Sequence, residues 1–118
     1  ERMGAQQMKA KQYDAALKTY RQLAAVESRR GLAYANMGTI YGIKGQTEKA
    51  IENLKLAVRY DKEDEGSWFA LGEAYEKKKM YKEALEAYKA AYQINPESRA
   101  AERIPQLRIR MLEDKHRE

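Results

Sequence analysis

The sequence predicts an all-α chain in which helix pairs stand side by side, and two observations predict it. Apolar residues recur at the i, i+3, i+4 and i+7 spacing that lays a stripe along one face of a helix. That pattern then returns every 34 residues with small residues on small places and large on large. Stepping back by that interval takes Gly72 to Gly38 and Gly4, Ala84 to Ala50 and Ala16, Ala91 to Ala57, Tyr75 to Tyr41, and Tyr88 to Leu54 and Tyr20. A fixed period of this length is the mark of a stacked array, in which each unit buries its face only against its neighbours.

The third unit is the plainest. Trp68, Leu71 and Tyr75 fall on one stripe, and Ala84, Leu85, Tyr88, Ala91 and Tyr92 form the facing stripe on a second helix. Gly72 and Ala84 are small where two helices must approach. Pro96 follows the second helix and stops it, because its ring removes the N–H a helix would use. Trp68-x2-Leu71-Gly72-x2-Tyr75, Ala84-x3-Tyr88 and Pro96 resemble the tetratricopeptide repeat (TPR), a helix–turn–helix unit of 34 residues. The resemblance covers about three tandem repeats, near residues 1–30 (truncated), 31–64 and 65–98, followed by a capping helix over 99–115. It implies a single domain of seven helices in an α-solenoid, a right-handed superhelix of antiparallel pairs.

The elements follow in order. Glu1 to Ala10 reads as the rear of a first helix, with Met3, Gly4 and Met8 inward. The match to Trp68 falls one place before Glu1, so the chain reads as a piece of a longer protein. Tyr13 to Val26 is the partner helix, with Ala16, Leu17, Tyr20, Leu23 and Ala24 inward. Ser28 is placed to cap a helix over 30–43, whose stripe is Tyr34, Met37, Gly38 and Tyr41. Gly45 can adopt the left-handed conformation that ends it. Thr47 is placed to cap residues 48–60, with Ala50, Ile51, Leu54, Ala57 and Val58 inward. The polar run 61–64 makes a softer stop than proline. The turn at Lys77, Lys78 and Lys79 has no glycine. After Pro96, Ser98 is placed to cap the last helix, whose inner face is Ala101, Ile104, Leu107 and Met111. Ile109 and Leu112 lie off that face, and Pro105 is expected to kink or split the helix.

Composition narrows the function. The net charge is +5, yet basic and acidic residues interleave, as on solvated helix faces. Arg103, Arg108, Arg110, Lys115 and Arg117 could release counterions from a nucleic acid, but Glu102, Glu113, Asp114 and Glu118 interrupt them and argue against it. There is no cysteine, so neither a disulfide nor a Cys metal site can form; cytoplasm and periplasm both stay open, the cytoplasm slightly favoured. No apolar run reaches the length of a membrane span. His116 is the only histidine, in a polar tail with nothing to join it as ligand or base. Glu73/Glu76 and Glu83/Glu86 share helix faces without a sign of burial, and no phosphate loop occurs. The expectation is a non-enzyme without cofactor or metal.

The resemblance implies a concave surface, formed by the first helix of each pair, that receives a peptide or a partner protein. The residues expected there are Asn36, Thr39 and Ile43, then Phe69, Glu73, Glu76 and Lys77, with Arg103, Leu107 and Arg110 at the far end. Phe69 is either an exposed groove anchor or a contact to the preceding repeat. Asn36 can grip a peptide backbone as donor and acceptor. Some similar domains clamp a chaperone tail's carboxylate; Asn36 matches one clamp position, but Glu1, Ala5, Gly66 and Ala70 occupy the cationic and amide places, so no such clamp is expected. Two alternatives accompany the scaffold reading: a self-assembling homo-oligomeric array, motivated by the truncated first helix and the Ile109/Leu112 row, and a regulatory domain of a larger enzyme.

Overall fold

A computed structural model describes residues 2–117, with side chains for 9–116. It contains six α-helices and one short 3₁₀ turn among the described residues: α1 (Arg2–Ala24), the turn Glu27–Arg29, α2 (Arg30–Ile43), α3 (Thr47–Tyr60), α4 (Glu65–Lys77), α5 (Tyr81–Ile94) and α6 (Ala100–Arg117). The closest packing joins α2 with α3 and α4 with α5; α1 on α2, α3 on α4 and α5 on α6 extend the stack. The radius of gyration is 15.8 Å, above the roughly 13.5 Å of a compact globule of this length. A thin array has that shape, since each helix pair touches only its neighbours.

The expected count of seven fails in the first repeat. The two helices predicted over 1–10 and 13–26 are one unbroken helix, α1. The physical reason lies at the turn. The later hairpins reverse at Gly45, φ 79°, and at Lys79, φ 59°, which stand 34 residues apart. The same step back lands on Lys11, within Lys9-Ala10-Lys11-Gln12, which has no glycine or proline. Lys77-Lys78-Lys79-Met80 also lacks them. What differs is the residue ahead of the turn, Tyr41 and Tyr75 in the later hairpins and the polar Gln7 here. Less apolar surface therefore rewards reversal over a continued run of good helix formers.

The two small-residue crossings stand where the period places them. A Cβ built on Gly38 would lie 2.6 Å from Leu54 Cγ, and one on Gly72 would lie 2.5 Å from the Tyr88 ring. These approaches hold each hairpin together. Two apolar clusters result. One joins Leu17, Met37, Tyr41, Leu54 and Val58 of α1 to α3 with Leu71 of α4 and Ala87 of α5; the other joins Phe69, Ala84, Tyr88, Ala91, Ala100 and Leu107 across α4 to α6. Trp68 and Tyr75 are half-buried between them.

Several local expectations are corrected. Ser28 lies inside the 3₁₀ turn, and α2 starts after Arg29 with no side-chain cap. Thr47 is the first residue of α3, so Gln46, not Thr47, holds the cap position. Asp64 is a true cap, accepting from the Ser67 amide at 3.3 Å and the Ser67 hydroxyl at 2.6 Å. Ser98 Oγ accepts from the Ala100 amide at 3.2 Å, as its position foretold. The inner face of α6 begins at Ala100 rather than Ala101, which is exposed. Tyr92 also faces solvent, 44% exposed. Pro105 leaves α6 unsplit. Its ring lacks the N–H that Ala101 would accept, and Ala101, being exposed, has water as a replacement partner.

Candidate functional site

The first helices of successive pairs, α2 and α4, leave a cleft between them, and α6 continues the same row. The cleft has a volume of about 360 Å³. Thr39, Gly42 and Ile43 of α2 form one wall, and Ala70, Glu73, Ala74 and Lys77 of α4 form the other. Gly38, Ala50 and Leu54 lie at its floor and Thr47 at its end. It stays open because its walls are small. A Cβ placed on Gly42 meets nothing within 4 Å, while one repeat later the same place holds Glu76. Ile43 stands at the rim, 59% exposed.

A second, polar recess of about 230 Å³ adjoins this cleft, lined by Glu73, Glu76, Lys77, Arg103 and Arg110. Here α6 is tied back to α4. Arg103 lies 3.3 Å from Glu73, and Arg110 Nη1 donates to Glu76 Oε2 at 2.9 Å. Glu76 Oε1 accepts from the Tyr88 hydroxyl at 2.8 Å. Burial, then the neighbouring Glu76 carboxylate, pushes the Tyr88 phenol well above its usual range. Glu76 is therefore held on both oxygens, and the basic side chains are largely consumed by it and by Glu73. Lys77 joins no ion pair among the described residues.

Of the ten predicted groove residues, Thr39, Ile43, Glu73 and Lys77 meet at the apolar cleft, and Glu73, Glu76, Lys77, Arg103 and Arg110 meet at the polar recess. Asn36 is half-buried and lines neither. Phe69 and Leu107 do not belong to the surface at all. Phe69 is 3% exposed and Leu107 1%. Phe69 neither anchors a ligand nor reaches the preceding repeat. Its ring lies 5.6 Å from that of Tyr88, and the Arg99 guanidinium sits 4.4 Å from its centroid. It turns forward onto α6, which supplies the cover that would otherwise be missing. Leu107 is the core residue of α6 that meets it. Sequence reading passed over Gly42, Ala70 and Ala74, because small side chains carry no chemistry of their own. The detectable signal was the mismatch of Gly42 with Glu76 across one period.

Comparison with known proteins fits this geometry. The first relative is Superkiller complex protein 3 of Homo sapiens, 38% identical over 66 residues; these make up 56% of this chain and 4% of that protein's length. The Sgt2 TPR domain from Aspergillus fumigatus superposes with a TM-score of 0.77 at 28% identity, over 100% of this chain and 80% of that one. The first TPR of Spaghetti (RPAP3), bound to the HSP90 peptide SRMEEVD, has a TM-score of 0.79 at 17% identity, covering 95% of this chain and 90% of its own. A TPR repeat model matches residues 38–79, and a tetratricopeptide repeat model matches 66–98. Together these span more than half of the sequence and meet in the helix pair around the Gly72 crossing; the chain belongs to the tetratricopeptide repeat family.

Proposed function

We propose that the chain is a non-enzymatic protein-interaction module that takes an apolar side chain of a partner peptide into the cleft between α2 and α4. The observation that supports this most directly is the open space beside Gly42. The cleft is walled by small and apolar residues yet ringed by Thr39, Glu73 and Lys77, so a buried anchor would be flanked by backbone-binding polar groups. The first TPR of Spaghetti is bound to a peptide, which agrees with a peptide as the ligand class here.

Gly42→Leu tests the proposal. It fills the cleft, and it replaces the residue of poorest helix propensity short of proline inside a helix. Peptides selected from a displayed library on the native chain are expected to lose at least about tenfold in affinity, roughly 1.4 kcal/mol, with no fall in the urea midpoint. Unchanged binding by the variant overturns the assignment.

The partner is not a chaperone tail gripped by its terminal carboxylate. Gly66 and Ala70 of α4 occupy the places where that grip needs cations. Calorimetry with the peptide SRMEEVD is expected to show no binding at micromolar concentration; saturable micromolar binding would refute this.

A further inference from the structure

We infer that the peptide taken by the cleft proposed above carries an acidic side chain beside its apolar anchor, and that this carboxylate pairs with Lys77; the inference rests on that cleft being the binding site. Lys77 borders both the apolar cleft and the polar recess. The other charged side chains that line them are Glu73, Glu76, Arg103 and Arg110. Arg103 pairs with Glu73 and Arg110 with Glu76. Two carboxylates therefore face three cations, and the ammonium of Lys77 is the charge left over. Glu73, four residues before Lys77, is the carboxylate that a helical lysine would ordinarily meet; here it turns to Arg103 of α6.

Lysines around the same turns are already engaged. Lys44 donates to Asp14 at 2.6 Å and Lys78 to Glu48 at 2.8 Å, so those carboxylates are taken. The Lys49 ammonium lies 5.6 Å from the centre of the Tyr41 ring. Thr39, on the opposite wall of the cleft, donates its hydroxyl to the Ala35 carbonyl at 3.0 Å. Lys77 is therefore the charged donor that the cleft presents, and it is exposed. By the 34-residue step it corresponds to Ile43. The rim is thus apolar on α2 and cationic on α4, and both residues border the same space.

A peptide seated in the cleft displaces part of the water around that ammonium. Opposite a neutral residue the lost hydration is uncompensated, and opposite a basic one repulsion adds to the loss. An aspartate or glutamate replaces the water with an ion pair. The pair lies at a solvated rim, so its gain is modest, about threefold in affinity. It decides which peptides the cleft prefers, and it does not by itself bring SRMEEVD to micromolar binding.

Peptides selected on the native chain from a displayed random library, then synthesised with amidated C-termini, test this with side chains as their only carboxylates. Asp and Glu are expected to be enriched beside the apolar anchor. Replacing that acid by its amide should weaken binding about threefold at low salt, and the difference should shrink as salt is raised. Lys77→Glu should abolish the preference and select Lys or Arg at the same place. Lys82→Glu changes an exposed lysine that lines neither the cleft nor the recess and should leave the preference intact. An equal response to both variants overturns the inference, since the preference would then come from the net charge of +5. Gly42→Leu separates this inference from the cleft reading. Binding lost in Gly42→Leu, with the acid-to-amide difference unchanged in Lys77→Glu, overturns the pairing and leaves the cleft standing. Binding that survives Gly42→Leu, or a library that yields no binder, overturns the cleft reading and the pairing with it.

Discussion

The same chemical change, a methyl added to a helical glycine, should have opposite effects at two positions of this chain. Gly72→Ala drives its new Cβ to 2.5 Å from the Tyr88 ring, and that ring is fully buried and cannot yield. Overpacking of this kind costs about 1–3 kcal/mol, more than the roughly 1 kcal/mol of helix propensity gained; a lower urea midpoint is the expected result. Gly42→Ala meets open space and keeps only the gain, so its midpoint should rise. Tyr88 itself supports a second test. Removing its hydroxyl with Tyr88→Phe takes a donor from Glu76 and is expected to cost about 1–2 kcal/mol at neutral pH. The pH profile gives the sign. The folded phenol titrates above its ordinary value of about 10, so the unfolded chain loses the proton first as pH rises. Stability contributed by the protonated phenol is complete below about pH 10 and lost as pH climbs from there towards the folded value. Thermal melts of Tyr88→Phe should show a shallower alkaline decline than the native chain.

At the level of single helices, the period alone located α2 to α5, because burial repeats with it. It could not see what lies outside the repeat. Phe69 sits one residue off the core stripe, and only the presence of α6, which breaks the period, decides that it is buried. Leu107 was expected both on the inner face of α6 and at the far end of the groove, and only the first holds, because the capping helix turns it inward against α5. The single α1 was hidden for another reason: a turn is legible by its breaker, and Lys79 had shown that this chain also turns without one. The caps at Asp64 and Ser98 could be foreseen in part, the first as a polar stop; those at Arg29 and Gln46 carry no side-chain signal. α6 offers the test at this scale. Pro105 deprives Ala101 of a helical hydrogen bond, a defect of about 3 kcal/mol in a rigid interior, softened here by solvent exposure. Pro105→Ala is expected to stabilise the chain by about 1–2 kcal/mol and to raise amide protection in α6, read by hydrogen exchange.

Across the whole molecule, stability should be a sum of neighbouring interfaces, not of one core. α6 touches the array chiefly through α5, and Leu107 is its fully buried side chain. Leu107→Ala removes the atoms that cover Phe69 and Tyr88 and should cost about 2–5 kcal/mol. In a globule with a single core that loss would lower the protection of every helix together. In this array it acts first on one end. Amides of α6 are expected to exchange by local opening while α2 and α3, which bury their stripes on each other, keep nearly native protection. The ion pairs from Arg103 and Arg110 to α4 are solvent-facing and too weak to hold the helix in place alone. Detachment would also uncover the Arg99 face of Phe69 and loosen the wall of the polar recess, leaving the apolar cleft between α2 and α4 intact. Peptides that occupy the cleft should therefore bind the variant about as well as the native chain, while exchange in α6 accelerates. Equal loss of protection in all helices would show that the array unfolds as one unit and that its two apolar clusters are energetically a single core.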